Sequence, residues 1–420
     1  MSAGIRGRGR SGGTAKNRDR VNHGPTAVVV DAQAPGLAVV RSLGRRGIRT
    51  LVATHSPHEA AVASRYSAGV ILTPEPGLDD DGFVTALLRG LPAGERPVVI
   101  PTSDDAVVAL AGNVDRLTDR CALAGPSLPV ADWFIDKRKT ARLAAKVDVR
   151  APQTALPRDL EQAAALGEGL GYPALVKPSE GHIFIRETGL KMLAVHNTAA
   201  LLDAVRACTE AGVEPIVQEI IPGPPEYGVN HIVYLRGDDV VAEFTARKIR
   251  NWPVDWGSPC AVVSEHVDGL TDRTRRLLVA AGYEGMACAE YKYDDRYDDY
   301  QLFEVNVRHN LSGSLAPRCG VDFPWIDYAN RAGLDVGGIS ALGAFEDGIH
   351  WVDTVRDVGS VATTGTWWRR PRKAVEPYGG AGARAFWDRD DMAPFRLHVA
   401  DSAGRAVRRL RGRFGVTRRT

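Results

Sequence analysis

The chain has 420 residues, enough for two or three domains that each bury a core. Hydrophobic residues make up 44% of it and charged residues 25%, and the net charge of +2 argues against a strong overall attraction to nucleic acid or membranes. No apolar run reaches the roughly 20 residues of a membrane span. The five cysteines and ten histidines show no metal or redox spacing, so we expect unpaired thiols, no zinc site and a cytoplasmic location.

Both ends of the chain are rich in arginine. Residues 1–25 contain almost no apolar side chains, which predicts a disordered basic tail. A solvated tail is favoured there over a nucleic-acid contact, and no specific nucleic-acid partner is predicted for the chain.

From Thr26 onward, short apolar strands alternate with helices. This alternation predicts a parallel α/β sheet in a first domain over residues 26–130. The turn after the first strand lacks the pattern G-x-G-x-x-G and contains Pro35, which excludes a dinucleotide site. A small-substrate pocket or a purely structural turn remains. Ser103, followed by Asp104 and Asp105, predicts a capped helix start.

The lysines of the following segment lie in different settings. Lys137 belongs to a charged run on a helix predicted over residues 131–147, and such runs usually form solvated faces. Lys177 ends a buried strand before the polar loop 179–189, a natural place for a phosphate contact, and Lys191 begins the return strand. The Walker pattern G-x-x-x-x-G-K-[ST] is absent.

The next strand, over residues 215–221, runs into a Pro/Gly segment. Backbone groups of Glu219 and Ile221 could read an adenine edge, and Glu226 could accept hydrogen bonds from ribose hydroxyls. A plain strand and turn fits the pattern equally well. Further along, Lys248 and Arg250 belong to a cationic stretch that suggests either anion binding or a basic strand edge that deters aggregation.

Residues 287–308 are predicted to form two strands around a polar turn, with Asp294 to Asp299 supplying the turn. Their pairing would set Glu290 opposite Glu304 and Asn306, and strand alternation puts Glu304, Asn306 and Arg308 on one face. Carboxylate and amide oxygens suit Mg²⁺, and an arginine beside them could stabilise a transferring phosphoryl group. On pattern alone, a solvated charged edge is as consistent.

Six motifs in this order resemble the ATP-grasp superfamily, specifically its carboxylate–amine ligases, over roughly residues 26–313. They are Asp136-Lys137, Tyr172-Pro-Ala-Leu-Val-Lys177, Val217-Gln-Glu-Ile-Ile-Pro-Gly223, Ala246-Arg-Lys-Ile-Arg250, Glu290 and Phe303-Glu-Val-Asn-Val-Arg308. The resemblance implies an α/β fold, α+β in the ATP-binding half. Its parts would be the N-terminal domain, an ATP-grasp domain over residues 131–340 with a small lid at about 150–220, and an extension over 341–420 without assigned structure.

The resemblance also implies roles for individual residues. The residues implied to bind ATP are Lys137, Lys177, Lys191, Gln218, Glu219, Ile220, Ile221 and Glu226. The implied ligands of Mg²⁺, with Mn²⁺ as an alternative metal, are Glu290, Glu304 and Asn306. The implied catalytic residues are Lys177, Lys248, Arg250 and Arg308, of which Lys248 and Arg250 resemble the basic pair of the D-aspartate-ligase-like branch.

The activity implied is ATP-dependent ligation of a small carboxylate or amino acid to an amine, through an acylphosphate that releases ADP and phosphate. A small-molecule kinase of the same fold and a non-catalytic ATP-binding protein remain as alternatives, and a homodimer remains open. The loop 179–189 departs from the family, in which it is usually rich in glycine and serine, because residues 183–185 are bulky here.

Overall fold

The computed structural model describes residues 24–179, 184, 187–190, 192–254, 257–336, 342–380 and 382–415, with side chains as far as residue 405. Nearly all of the predicted basic tail lies outside the described residues, as do Lys191 and much of the loop 179–189. Within the described part, no helix is both long enough and apolar enough to cross a membrane.

The first domain is a five-stranded parallel sheet with strand order β3-β2-β1-β4-β5. Its strands are β1 (Ala27–Val30), β2 (Thr50–Thr54), β3 (Ser67–Leu72), β4 (Val98–Pro101) and β5 (Ala122–Leu123). Its helices are α1 (Ala34–Arg45), α2 (Asp80–Gly90), α3 (Asp104–Ala111) and α4 (Val114–Leu117). The inner strands β1, β2 and β4 are buried throughout, because helices cover both faces of a parallel sheet. The parallel α/β prediction is confirmed.

Two helices, rather than the single predicted one, connect this domain to the rest. They are α5 (Leu128–Ile135) and α6 (Lys137–Lys146). Asp136 separates them with extended backbone angles, φ −82° and ψ 107°, and its carboxylate accepts a hydrogen bond from the Arg138 N–H at 2.9 Å. An aspartate at that position favours an N-cap over a helix interior, which is why the predicted helix over 131–147 is broken.

A small antiparallel sheet follows, with strand order β6-β9-β7-β8. Its strands are β6 (Thr154–Ala155), β7 (Ala174–Pro178), β8 (Leu193–Val195) and β9 (Pro215–Glu219). The helices α7 (Leu160–Leu170) and α8 (Thr198–Glu210) pack on it, and Val176, Val217 and Leu201 lie in their shared core.

A seven-stranded sheet with strand order β14-β13-β10-β11-β12-β15-β16 forms the largest part. Its strands are β10 (Gly228–Arg236), β11 (Asp239–Trp252), β12 (Ser258–Ser264), β13 (Gly285–Asp294), β14 (Asp299–Asn306), β15 (His350–Val352) and β16 (Ala383–Arg384). Its helices are α9 (Thr271–Ala280), α10 (Leu315–Arg318), α11 (Phe323–Arg331), α12 (Thr354–Thr364), α13 (Thr366–Arg369), α14 (Pro371–Val375) and α15 (Ala393–Gly415). Two 3-10 helices span Pro225–Tyr227 and Glu376–Tyr378. The segment after residue 341, for which no structure was assigned from sequence, supplies β15 and β16.

The C-terminal segment also packs against the first domain. Arg41 of α1 is buried and donates from Nε to Asp391 at 3.0 Å. The same carboxylate accepts from the Ser64 hydroxyl at 2.6 Å and from the Arg65 N–H at 2.9 Å. One apolar core contains Leu37 of α1 together with Phe386 from this segment. The first domain and the segment around residues 386–391 are therefore packed together.

Candidate active site

The predicted pairing of the β13–β14 hairpin is confirmed. Glu290 lies directly opposite Glu304, and Cys288 lies opposite Asn306. A bulge follows Glu290, where the register shifts between Glu290 and Tyr291. Strand alternation puts Glu304 and Asn306 on the same face, so the two carboxylates and the carboxamide meet on one side of the sheet.

Each of these carboxylates is paired with a lysine from a different element. Lys248 of β11 reaches Glu290 with an Nζ–Oε2 distance of 2.5 Å, and Lys137 of α6 reaches Glu304 with an Nζ–Oε1 distance of 3.2 Å. The negative charge of Glu304 is the main cause that raises the pKa of Lys137. Asn306 donates from Nδ2 to Glu290 at 3.0 Å. The three predicted metal ligands and two predicted phosphate or substrate cations therefore form one cluster.

Arg308 joins this cluster to the first domain. Its Nη2 donates to the Asn306 side-chain oxygen at 3.0 Å. Its Nε and Nη2 also donate to the two carboxylate oxygens of Asp104, at 2.9 and 3.0 Å. Burial is the largest single effect and lowers the pKa of Arg308, but the charge and hydrogen bond of Asp104 together with the charge of Glu304 oppose it, and the net shift is upward.

Asp104 was missed as a site residue, because Ser103, Asp104 and Asp105 were interpreted only as a helix start. That interpretation is correct as far as it goes, since the Ser103 hydroxyl accepts from the Ala106 N–H at 3.2 Å. The available signal was its position just beyond the carboxyl end of β4, the edge at which parallel sheets bind ligands.

Asn230 is a second residue that the sequence did not single out. It lies opposite Glu290 on β10, so the two side chains share a face of the sheet. Asn230 is 3% exposed, and among the described residues none donates a hydrogen bond to its side-chain oxygen. A buried acceptor without a partner is costly in a folded protein and is expected to meet a ligand or water.

In the small sheet, Lys177 is held close to Gln218. Its Nζ donates to the Gln218 side-chain oxygen at 2.5 Å, and Gln218 in turn donates from Nε2 to Thr154 at 2.8 Å. Lys177 is buried at the end of β7, as the sequence predicted for that strand. The chain of hydrogen bonds fixes its ammonium group at the carboxyl end of the strand.

The segment after β9 is fixed from both sides. The Glu219 N–H donates to the Gln153 carbonyl at 2.9 Å, and the Glu219 carboxylate pairs with Arg296 at 2.6 Å. Lys292 of β13 donates to the Ile221 carbonyl at 2.9 Å. Arg296 lies in the segment 294–299, which the sequence predicted only to form the turn of the hairpin. Its ion pair with Glu219 shows that this turn also holds the segment after β9 in place.

The two other predicted nucleotide contacts lie within this connection and just after it. Ile220 is half-buried between Glu219 and Ile221. Glu226 lies in a 3-10 helix with a partly exposed side chain, and its carbonyl accepts from Arg247 at 3.0 Å.

Arg250 is not brought into the cluster. Its Nε and Nη2 donate to the two carboxylate oxygens of the buried Asp357 on α12, at 2.6 and 2.9 Å, and its Nη1 donates to the Lys373 carbonyl at 2.7 Å. The β11–β12 register shifts between Lys248 and Arg250, which separates the two side chains. This arrangement corrects the prediction that Arg250 meets γ-phosphate or substrate: it is a buried structural ion pair.

No family model matches the chain. Among curated proteins, a D-alanine–D-alanine ligase from Pseudomonas entomophila is 26% identical over 215 residues, which is 47% of this chain and 64% of that ligase. The large chain of carbamoyl phosphate synthase from Rubrobacter xylanophilus is 23% identical over 286 residues, which is 62% of this chain and 24% of that protein. The chain thus spans less than two thirds of the length of these relatives.

Solved structures match more of the chain. A biotin carboxylase complex from Campylobacter jejuni has a TM-score of 0.62 and 16% identity, covering 78% of this chain and 75% of that one. An L-amino acid ligase from Bacillus licheniformis has a TM-score of 0.57 and 15% identity, covering 73% and 74%. The chain has the ATP-grasp fold. The resemblance predicted from sequence is confirmed at this level.

On this ATP-grasp fold, the cluster contains oxygen atoms that could ligate a metal ion and several cationic side chains, but few carboxylates. Among the described residues, no group of three or more His, Cys, Asp or Glu side chains is arranged to hold a metal. The predicted metal ligands are two carboxylates, Glu290 and Glu304, and the carboxamide of Asn306. Such an all-oxygen set fits a hard cation that keeps several waters, and the partnerless oxygen of Asn230 on the same face agrees with it.

Proposed function

We propose that this chain is an ATP-dependent carboxylate–amine ligase that forms an amide or peptide bond through an acylphosphate. The observation that carries the proposal is the cluster of Glu290, Glu304 and Asn306 on adjacent strands, with Lys137, Lys248 and Arg308 around it. Cations next to oxygen ligands provide the charge neutralisation on which phosphoryl transfer depends.

ATP would lie between the small sheet and the seven-stranded sheet. The backbone from Glu219 through Ile220 to Ile221 would contact the adenine edge, because Gln153 and Lys292 hold this segment in place. Glu226 would accept from ribose hydroxyls. Lys177 would contact the phosphates from the small sheet, supported by Gln218.

Lys137 would contact the phosphates from the opposite side. Lys191, which lies outside the described residues, stays a predicted phosphate contact. The cluster lysines neutralise carboxylates, since Lys137 pairs with Glu304 and Lys248 pairs with Glu290. The same ammonium groups are positioned to neutralise phosphate oxygens when a bound nucleotide offers them a stronger partner.

Glu290, Glu304 and Asn306 would hold Mg²⁺, and the same oxygens would accept Mn²⁺. When bound, the metal supplies charge stabilisation at the phosphate oxygens and a fixed template for them. One similar solved structure, a biotin carboxylase domain from Hydrogenobacter thermophilus, is a complex with MgADP. That complex supports the pairing of nucleotide and magnesium for this fold.

The reaction would proceed in two displacements. A carboxylate oxygen of the acid attacks the γ-phosphorus of ATP, and the bond to the β–γ bridging oxygen breaks, so that ADP leaves with the electron pair. The nitrogen lone pair of the amine then attacks the acyl carbon, phosphate leaves, and the nitrogen loses a proton. Arg308, held by Asp104, would stabilise the charge on the transferring phosphoryl group, with Lys248 beside it.

The substrates we propose are an amino acid or other small carboxylate and an amine. Two of the similar proteins are named for joining amino acids, the D-alanine–D-alanine ligase and the L-amino acid ligase. The five cysteines are all unpaired and buried, which supports a reducing compartment such as the cytoplasm. A homodimer is included in the proposal, because the similar biotin carboxylase domain from Hydrogenobacter thermophilus was solved as a dimer.

The decisive experiment measures ADP release for a matrix of carboxylates and amines, with hydroxylamine added to trap an acylphosphate as its hydroxamate. We expect amine-dependent turnover and a hydroxamate for the accepted acid. Glu304→Gln and Asn306→Ala should abolish both while the fold stays intact. Glu284→Gln is the matched control, because Glu284 is an exposed glutamate just before β13 and lies outside the cluster.

Three outcomes would contradict the proposal. Near-normal turnover in Glu304→Gln would refute the metal assignment. A stable phosphorylated product without hydroxamate would indicate a kinase. Absence of ADP release with every pair would indicate a non-catalytic nucleotide-binding protein.

A further inference from the structure

Seven consecutive residues on the C-terminal part of the chain are all exposed. They run from Trp367 to Lys373 across α13 and α14, and we name them the Trp–Arg patch. Trp368 is 88% exposed and Trp367 is 45% exposed. Tryptophan is among the most buried residue types on average, so two adjacent exposed indoles need a reason.

The patch is strongly cationic. Its cations are Arg369, Arg370, Arg372 and Lys373, and none of them forms an ion pair with a carboxylate in the described part of the chain. The one acid that follows closely in sequence is Glu376, which is exposed. Four cations and one carboxylate make this region strongly positive, although the net charge of the whole chain is only +2.

The patch is rigidly attached to the seven-stranded sheet. The Lys373 carbonyl accepts a hydrogen bond from Arg250 at 2.7 Å, and Arg250 is itself fixed by the buried Asp357. Ala374 is 1% exposed and packs beneath the patch. Because these contacts hold the backbone, the exposed side chains are presented without an ordering cost for the chain that carries them. Arg250 is also only two residues from Lys248 of the candidate active site.

We propose that the Trp–Arg patch binds the surface of a bilayer that contains anionic lipids. Indole rings are favoured at the level of lipid headgroups, where one part of the ring meets apolar chains and the N–H meets water. Lysine and arginine next to an anionic leaflet add an electrostatic attraction. The patch combines both signals in seven residues.

Two other partners fit less well. A protein partner would have to supply several carboxylates opposite the patch, because tryptophan and arginine are both enriched at protein–protein interfaces but four cations within seven residues need neutralising. Single-stranded nucleic acid stacks its bases on aromatic platforms, but adjacent residues of a helix point about 100° apart, so Trp367 and Trp368 on α13 do not form one continuous platform. A bilayer needs no stacking platform, because two indoles that point about 100° apart can each enter the headgroup layer.

The test is co-sedimentation of the full chain with phosphatidylcholine vesicles, with and without phosphatidylglycerol. We expect binding only when phosphatidylglycerol is present, and weaker binding as salt is added. The double variant Arg369→Gln/Arg370→Gln should bind about 30-fold more weakly, since each cation near an anionic surface contributes roughly fivefold. Trp367→Ser/Trp368→Ser should also lose binding at unchanged charge.

The matched control is Arg89→Gln/Arg120→Gln, which removes the same charge from two exposed arginines of the first domain. It should bind as the unmodified chain does, and circular dichroism would verify that all variants stay folded. Equal losses in the patch and control variants would overturn the proposal, as would unchanged binding after either patch substitution. Binding to duplex DNA without binding to vesicles would overturn it as well. None of these readouts requires ligase activity, so the patch and the proposed function fail or succeed separately.

Discussion

The ion pair between Arg41 and Asp391 predicts a large and specific loss of stability. The side chains are 4% and 1% exposed, so both charges are almost fully removed from water. Asp391→Asn keeps the shape of the side chain but removes its charge. Arg41 would then be a buried cation that has lost its paired carboxylate. Its Nη2 would still donate hydrogen bonds to the carbonyls of Phe386 and Asp391.

The magnitude follows from the burial. Removing one partner of a buried ion pair costs about 3–5 kcal/mol, because the remaining charge stays desolvated. Burial lowers the pKa of Arg41, and the hydrogen bond and charge of Asp391 are the largest effects that oppose this shift. The Ser64 hydroxyl and the Arg65 N–H lose their charged acceptor in the same substitution.

Asp388→Asn provides a matched comparison. Asp388 pairs with Arg45, one turn further along α1, but the two side chains are 24% and 41% exposed. Exposed pairs contribute about 0–1 kcal/mol, so this variant should unfold almost as the unmodified chain does. The assay is urea unfolding followed by far-ultraviolet circular dichroism. A loss in Asp391→Asn no larger than that in Asp388→Asn would refute the reasoning.

Other residues give predictions that can be checked with the same protein. Lys177→Ala should raise KM for ATP about 10–100-fold in the ADP-release assay, because a hydrogen bond to a charged group contributes about 1.5–3 kcal/mol. An unchanged KM would exclude a phosphate contact of Lys177. Arg250→Gln should lower the free energy of unfolding by about 3–5 kcal/mol, as Asp357→Asn should, and a change confined to substrate KM would restore the rejected substrate role. An NMR titration should find the pKa of His266 above about 6.5, because its hydrogen bond to Asp347 raises it, and Asp347→Asn should lower it. The pKa of His266 is higher in the folded than in the unfolded chain. The stability that its pair with Asp347 contributes is therefore fully present below about pH 6.5 and is lost as the pH rises through the folded-state pKa. A contribution that grows with rising pH would contradict the assignment.

The cluster at the centre of the site was predictable because it depends on short-range rules. Strand alternation fixes which side chains of β13 and β14 share a face, and this brings Glu304 and Asn306 together. The register set by the turn would by itself place Glu290 opposite Phe303, and the bulge after Glu290 brings it opposite Glu304. The buried strands of the first domain were predictable for a similar reason, since apolar runs of four or five residues between helices have few other solutions.

What could not be predicted involves partners far apart in sequence. Asp104 and Arg308 are 204 residues apart, and nothing local to Asp104 distinguishes an acid that caps a helix from one that also holds an arginine. Arg250 followed the same strand pattern as Lys248, and only the bulge in β11 and the carboxylate of Asp357 explain why the two separate. The strands β15 and β16 have three and two residues, too few for any period to appear.

The placement of β15 beside β12 has a consequence for synthesis on the ribosome. β12 ends at Ser264, but the strand that covers its edge begins at His350. At about 5–20 residues per second, the edge of β12 stays without that neighbour for roughly 4–17 s after it is translated. A transcript that stops in this interval would release a chain with an open apolar edge, which is a template for aggregation. Synthesis of the last fifth of the chain therefore protects the earlier part from association with other nascent chains.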